Sequence, residues 1–196
     1  MYEESKQKII CPRCNDIAGK SNYYDYYLCH NCNWTSNDNC VDIAYKDALS
    51  CSLSNLFTHE FAFSLGNFKE IITYCQSMES FLQSLKIPDW NLQQSFCENY
   101  SGYKAYKMRL TLPDWREKQI LYWHGKEYER SSKEYTELIT MAYDRLFYGN
   151  DIFREIVLPK FKGKYLIHSM GNEDTTKTVL TESEYRFQLN RLMDKI

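Results

Sequence analysis

No apolar run among the 196 residues is long enough to span a bilayer, so a helical membrane anchor is not expected. The polar opening MYEESKQKIICPRC lacks the apolar core of a signal peptide. Together these absences point to the cytoplasm. An excess of one charge is missing as well. The net charge is -2, with five Lys/Arg against seven Asp/Glu in residues 1–50 and nineteen of each in residues 51–196. That balance excludes a bulk pull toward DNA or anionic lipid, so any nucleic-acid contact has to use a local patch. There is no internal repeat and no low-complexity segment. What remains is a globular composition, 43% hydrophobic and 26% charged. The length suits one ordinary core, or a small domain beside a medium one. Frequent Asn, Lys, Ile and Tyr point to an AT-rich genome, and hence to the cytoplasm of a bacterium or of a phage-infected host.

Eight cysteines are unusual for such a compartment, where disulfides rarely persist. Four of them form two C-x2-C knuckles, Cys11/Cys14 in CPRC and Cys29/Cys32 in CHNC. Each knuckle offers two thiolates from one tight turn, and together they close a tetrahedral sulfur site, so one structural zinc is expected. Pro12 helps fix the first turn, and His30 sits inside the second. Four thiolates leave no open position for catalysis. About fifty residues with few aliphatics bury little surface, so the metal would supply folding free energy. Tyr23, Tyr24, Tyr26, Tyr27 and Trp34 can stack on unpaired bases or fill a tiny core. The other cysteines, Cys40, Cys51, Cys75 and Cys97, lack ligand spacing and read as buried thiols.

The boundary is placed near residue 50, giving a zinc ribbon with its connector (1–50) and a second domain (51–196). Residues 52–75 read as loop and strand with a turn at Gly66–Asn67. Residues 93–109 read as helical, weakened by Gly102. QILYWHG is strand-like and ends in a turn signal. The clearest helix covers 132–148, with Leu138, Met141, Ala142 and Leu146 on one face. GND then caps a short helix, IFREIVL, and KYLIHSM reads as a strand. A last helix opens at Thr181 and Glu184, which have capping-box spacing, and carries Leu189, Leu192, Met193 and Ile196 as its stripe. The fold class is α+β, mainly helical with a few short strands, plus the ribbon.

QSMESFLQSLK carries two lines on one helix. Met78, Phe81, Leu82 and Leu85 form an apolar line, and Glu79, Gln83 and Lys86 run beside it. Ser77 is the expected N-cap, with Glu79 in the first turn, where a carboxylate suits the dipole. The polar line is either a solvated flank or a reactive face at a pocket lip.

Taken in order, LSNLF, SMESFLQSLK and LIHSMGNEDTTKTVLTE resemble the NADAR (YbiA-like) family, whose pattern runs S-N-F and then S-x-E-x-x-x-Q-x-x-K. The likeness covers residues 52–196, and the chain departs from the family in its GNEDTTKTVLTE ending. The resemblance implies an N-glycosyl hydrolase that removes ADP-ribose from guanine in DNA or RNA. It implies Glu79 and Lys86 as catalytic residues, with Asn55, Gln83, Trp115 (or Trp123), His168, Asp174, Lys177 and Thr178 around the substrate. A carboxylate can stabilise the positive charge that builds on the sugar, and a lysine of lowered pKa can attack the anomeric carbon. The ribbon would help recruit a polymer substrate. The alternatives are a non-enzymatic sensor of an NAD-derived nucleotide and a glycosidase acting on riboflavin-pathway intermediates.

Overall fold

Capping residues set where the helices of the computed structural model begin. The structure describes residues 8–11, 14–20, 27–29, 31, 34–36, 40–43, 50–64, 72–168 and 170–196. Pro12, His30, Cys32, Tyr23, Tyr24, Tyr26, Gly66 and Asn67 lie outside the described residues. The helix α1 (Met78–Ser84) starts at Ser77, whose hydroxyl accepts from Ser80 N, while the Ser80 hydroxyl accepts from Ser77 N. Asp89 caps α2 (Trp90–Asn99), Ser132 caps α4 (Lys133–Gly149), and Thr181 with Glu184 forms the expected capping box of α5 (Glu182–Met193). Each cap satisfies amide donors that a first turn leaves orphaned.

The expected single helix over 93–109 is two. The chain breaks at Tyr100–Ser101, and α3 (Gly102–Met108) starts anew. Gly102 explains the break. Its φ is +44°, and an added Cβ would lie 2.0 Å from the Leu56 carbonyl oxygen. Its N–H donates to the Ser77 hydroxyl at 2.9 Å, so the amino ends of α1 and α3 share one buried oxygen.

Strands come as short pairs laid against helices. Toward the amino end, β1 (Lys8–Ile10), β2 (Ile17–Lys20) and β3 (Tyr27–Cys29) make an antiparallel sheet. β4 (Cys40–Asp42) pairs in parallel with β9 (Tyr165–Ile167), which stitches the connector to the far end of the chain. Leu28, Cys40 and Ile167 then form a small buried cluster that joins β3 to this pair. β5 (Phe61–Phe63) and β6 (Thr73–Cys75) are antiparallel, with Phe61, Phe63, Thr73 and Cys75 turned inward and Ala62 and Tyr74 outward, the period of two expected of a one-sided sheet. β7 (Ile120–Trp123) and β8 (Lys126–Glu129) are joined by His124 and Gly125, both at positive φ, as a two-residue primed turn requires.

The main core lies where α1, α4 and α5 meet these pairs: Phe81, Leu85, Trp123, Leu138, Tyr143, Phe161 and Leu192 are among its buried members. The expected α4 face is corrected at Met141, which is 40% exposed, while Tyr135, Ile139, Tyr143 and Phe147 join Leu138, Ala142 and Leu146 inside. Ile196 lies past α5 and is also exposed. IFREIVL forms a wide π-helical turn (Ile152–Val157) that runs into a 3-10 turn (Leu158–Phe161), with the Asn150 side chain accepting from Phe153 N. The fold is thus mixed helix and strand. Among the described residues no helix is long and apolar enough to cross a membrane.

Gly102→Ala should cost about 2 kcal/mol or more, because the new side chain meets both a positive φ and a fixed carbonyl. Thermal melting should show a loss of roughly 4–8 °C. An unchanged midpoint would contradict the shared-cap geometry.

Candidate active site

The polar line of α1 is not a solvated flank: Glu79, Gln83 and Lys86 are 8%, 7% and 7% exposed. The helix ends at Ser84, so Lys86 sits in the turn beyond it and its side chain folds back. Gln83 Nε2 donates to Glu79 Oε1 at 2.8 Å, and Lys86 Nζ donates to Gln83 Oε1 at 2.6 Å. Only this orientation of the amide satisfies both neighbours, because the flipped one would set NH2 against NH3+. The two ionisable groups are therefore linked through Gln83 rather than by direct contact.

Burial governs both titrations. It raises the Glu79 pKa against the opposing pull of the Gln83 hydrogen bond, Lys86 and Arg109. Burial likewise lowers Lys86 to about 8; Glu79 opposes this, Arg116 and Arg109 add to it, and Asp114 opposes it. A tight ion pair would push both groups toward their charged forms. Here both move toward neutrality, so desolvation wins. Such opposed shifts in one buried cluster mark acid–base sites more often than ordinary surface.

The loop at residues 54–57 anchors the front of the cluster. The Asn55 carbonyl accepts from Glu79 N at 2.9 Å, and Asn55 Oδ1 accepts from Tyr143 OH at 2.7 Å. Tyr185 OH donates to the Leu53 carbonyl. Burial raises the Tyr143 and Tyr185 pKa values, and the Glu79 charge pushes each the same way. Tyr143, Tyr185, Arg109 and Arg116 were not singled out from sequence. The two tyrosines had a readable signal, since Tyr143 lies four residues after Ile139 and Tyr185 four before Leu189, on apolar faces. The arginines had none, because tertiary packing brings them near: Arg109 follows α3, which packs on α1, and Arg116 lies in the segment before β7.

Other expected site residues fall elsewhere. Trp115 and Trp123 are core residues, 4% and 0% exposed, with Trp123 stacked between Phe63 and His124, so neither offers a free face to a base. That corrects their stacking role: the indoles fill the interior. His168 is half-buried, and its ring meets Tyr185 edge-on at 5.8 Å. Its backbone N–H donates to Glu182, and burial lowers its pKa against Asp42 and Glu182. Asp174 pairs with Lys177 at 2.8 Å in an exposed turn, and the Thr178 hydroxyl donates to the Leu180 carbonyl. This turn packs against the 116–119 segment and Arg130: Arg116 Nε donates to the Lys177 carbonyl, Gln119 Nε2 to the Thr176 carbonyl and Arg130 Nε to the Thr178 carbonyl. A cavity of about 610 Å³ lies apart from the relay, between the β5–β6 hairpin and the end of α4, with Glu60, Tyr74 and Asn150 in its wall.

In the ribbon, the sulfurs of Cys11, Cys14 and Cys29 lie within 4.8 Å of one another, and Cys11 and Cys29 are fully buried. Asn15, at φ 60°, turns the first knuckle, and its N–H donates to the Cys11 carbonyl. Sulfurs 2.3 Å from a tetrahedral zinc stand ~3.8 Å apart, and the Cys14–Cys29 separation of 3.5 Å is close to that spacing. These three cysteines form a possible metal site.

The frame that holds these groups is a mixed helix-and-strand domain with a buried carboxylate–amide–amine relay. By sequence the chain belongs to the bacteriophage protein GP30.3 family, which matches residues 47–194. A relative from Enterobacteria phage T4, named "Uncharacterized 17.1 kDa protein in Gp30-rIII intergenic region", is 32% identical over 148 residues, covering 75% of this chain and 91% of that protein. No solved structure matches. The NADAR resemblance is thereby corrected. Much of its pattern is helix grammar: Ser77 is a cap and Glu79 a first-turn acid, features that many amphipathic helices share. The ribbon lies outside the family match.

Lys86 makes stability depend on pH. Its folded pKa of about 8 lies below the ordinary 10.5, so the unfolded chain binds more protons in that window and stability rises with pH across it. Glu79, shifted upward, acts in the opposite sense above the ordinary carboxylate range. The stability difference between wild type and Lys86→Met should grow in favour of the wild type as denaturation midpoints are measured from pH 8 to 9.5. That window lies below the range where the buried Tyr143 and Tyr185, with their raised pKa values, make stability fall with pH.

Proposed function

We propose that the Glu79–Gln83–Lys86 relay is the working centre of an N-glycosyl hydrolase that cleaves a ribose–nitrogen bond. ADP-ribosylated guanine in DNA or RNA is the first substrate to test. The observation that carries this reading is the burial of a carboxyl and an amine on one hydrogen-bonded line, each driven toward its neutral form. A protonated Glu79 can give its proton to the departing base nitrogen. An unprotonated Lys86 can attack the anomeric carbon as that bond breaks. Ring opening then leaves an imine, which water hydrolyses to free sugar and free lysine. Arg109 and Arg116, the cations that bear on Lys86, supply charge for a diphosphate. The guanine itself was implied by the corrected resemblance, so on residues alone the support reaches a phosphorylated ribosyl N-glycoside.

A specific observation favours a second reading, a nucleotide-binding module without turnover. The relay is nearly closed, with Glu79, Gln83 and Lys86 at 8%, 7% and 7% exposure, and a sugar reaches Glu79 only if neighbouring side chains move. For the ribbon, we propose one structural zinc on Cys11, Cys14 and Cys29 with Cys32, which lies outside the described residues, as fourth ligand. It would hold the ribbon for substrate recruitment. The proposed setting is the cytoplasm of a bacterial host.

Incubation with guanine-ADP-ribosylated single-stranded DNA and RNA, beside amino-pyrimidine ribosides of the riboflavin pathway, should release sugar from at least one. Glu79→Gln should slow release by about 10²–10⁴-fold, and Lys86→Ala should abolish the borohydride-trapped adduct. Binding of ADP-ribose with no release from any substrate would select the module reading. Metal analysis should find about one zinc per chain; a folded, metal-free ribbon would contradict the zinc assignment.

A further inference from the structure

The helix α3 and its flanks carry a second pattern that the relay does not use. Residues 99–113 hold three cations, Lys104, Lys107 and Arg109, and no acidic residue. Each cation lies over a tyrosine ring: Lys104 over Tyr100 at 4.8 Å, Lys107 over Tyr103 at 4.7 Å and Arg109 over Tyr106 at 3.7 Å. The Tyr103 and Tyr106 rings are nearly parallel, 19° apart with centroids at 6.0 Å, and Tyr103 is 54% exposed. Tyr100 is partly accounted for by the interior, since it stacks on Phe96 beside the buried Ile87 and Ala105. Tyr103, by contrast, is exposed and Tyr106 half-buried, and α3 itself buries only Gly102 and Ala105.

We infer that this tyrosine–cation ladder is a docking platform for single-stranded nucleic acid. Unpaired bases have π-faces that stack on exposed tyrosines regardless of sequence, and the interleaved cations track the phosphates. A duplex hides its base faces and would engage only the charges. The acid-free run gives the local charge complementarity that the chain's net charge lacks. The platform is also fixed relative to the relay, because Gly102 N donates to Ser77 Oγ, the cap of the helix that bears Glu79. Arg109, the last cation of the ladder, is also one of the charges that act on Glu79 and Lys86. The inference deepens the glycosidase reading by making its substrate a polymer, but it concerns binding alone and is read without turnover.

The test is fluorescence anisotropy on the full chain with unmodified, labelled 12-nucleotide DNA and RNA of mixed sequence, and with duplex DNA of equal length. Single strands of at least one kind should bind more tightly than duplex. Tyr103→Ala should weaken that binding by about fivefold or more. Lys104→Gln with Lys107→Gln should lower the slope of log affinity against log salt by about 1.4. All three side chains are exposed, so melting curves should match the wild type. Loss of binding without loss of fold supports the platform. No binding to either single strand, unchanged affinity and salt slope in the variants, or equal preference for duplex overturns it, and α3 would then be a protein-docking or plain solvated face. Glycosidase activity on a small riboside would survive that failure.

Discussion

The hydroxyl of Ser77 is the constraint on which the arrangement turns. It accepts from Ser80 N and from Gly102 N, so one buried oxygen starts α1 and clamps the amino end of α3 to it. The Asn55 carbonyl satisfies another first-turn donor, Glu79 N. Two loops and two helices therefore converge on the first turn of α1, and the carboxylate one residue into that helix has little freedom. Leaving any of these buried donors unmet would cost about 1–3 kcal/mol, which is why a helix as short as Met78–Ser84 holds its position.

That rigidity explains how burial can push the pKa of a glutamate up and that of a lysine down within one cluster. Phe81, Leu82 and Leu85 close the core beneath α1, so the polar line is buried among packed side chains rather than lifted into water. The far wall comes from α4 and α5 through Tyr143 and Tyr185, each anchored by its hydroxyl to the 53–55 loop. The Arg130–Glu184 pair secures α5 in turn: both guanidinium nitrogens reach the carboxylate, at 3.0 and 2.6 Å, and Arg130 is nearly fully buried. Distant segments thus meet in one place, with the parallel pairing of β4 and β9 tying the ribbon side to the same body.

Local grammar was legible in the sequence. The caps at Ser77 and Thr181 and the His124–Gly125 turn follow from nearest neighbours and the structure forms each, while the α4 and α5 stripes form except at Met141 and Ile196, which are exposed. The break before Gly102 was only half legible, because glycine announces a weakness but not the Leu56 carbonyl that requires it. Long-range pairing was not legible. Nothing near Cys40 in sequence indicates Tyr165 as its partner, and nothing in the α1 pattern says that its polar line faces inward. Nor could local spacing distinguish the GP30.3 family from NADAR, since a serine cap, a first-turn acid and a lysine at the exit serve any short buried helix. Trp115 and Trp123 misled for a related reason: a tryptophan next to a turn looks available until the core is seen to close over it.

The central claim is that Glu79 and Lys86 are electrically coupled across Gln83 in a buried relay. Titrating Lys86 by NMR in selectively labelled protein, wild type beside Glu79→Gln, tests it directly. The account predicts a wild-type pKa of about 8 that falls further once the carboxylate is gone, because Glu79 is what holds it up. An ordinary value near 10.5, unmoved by Glu79→Gln, would mean that the lysine is hydrated and uncoupled, and would contradict the account.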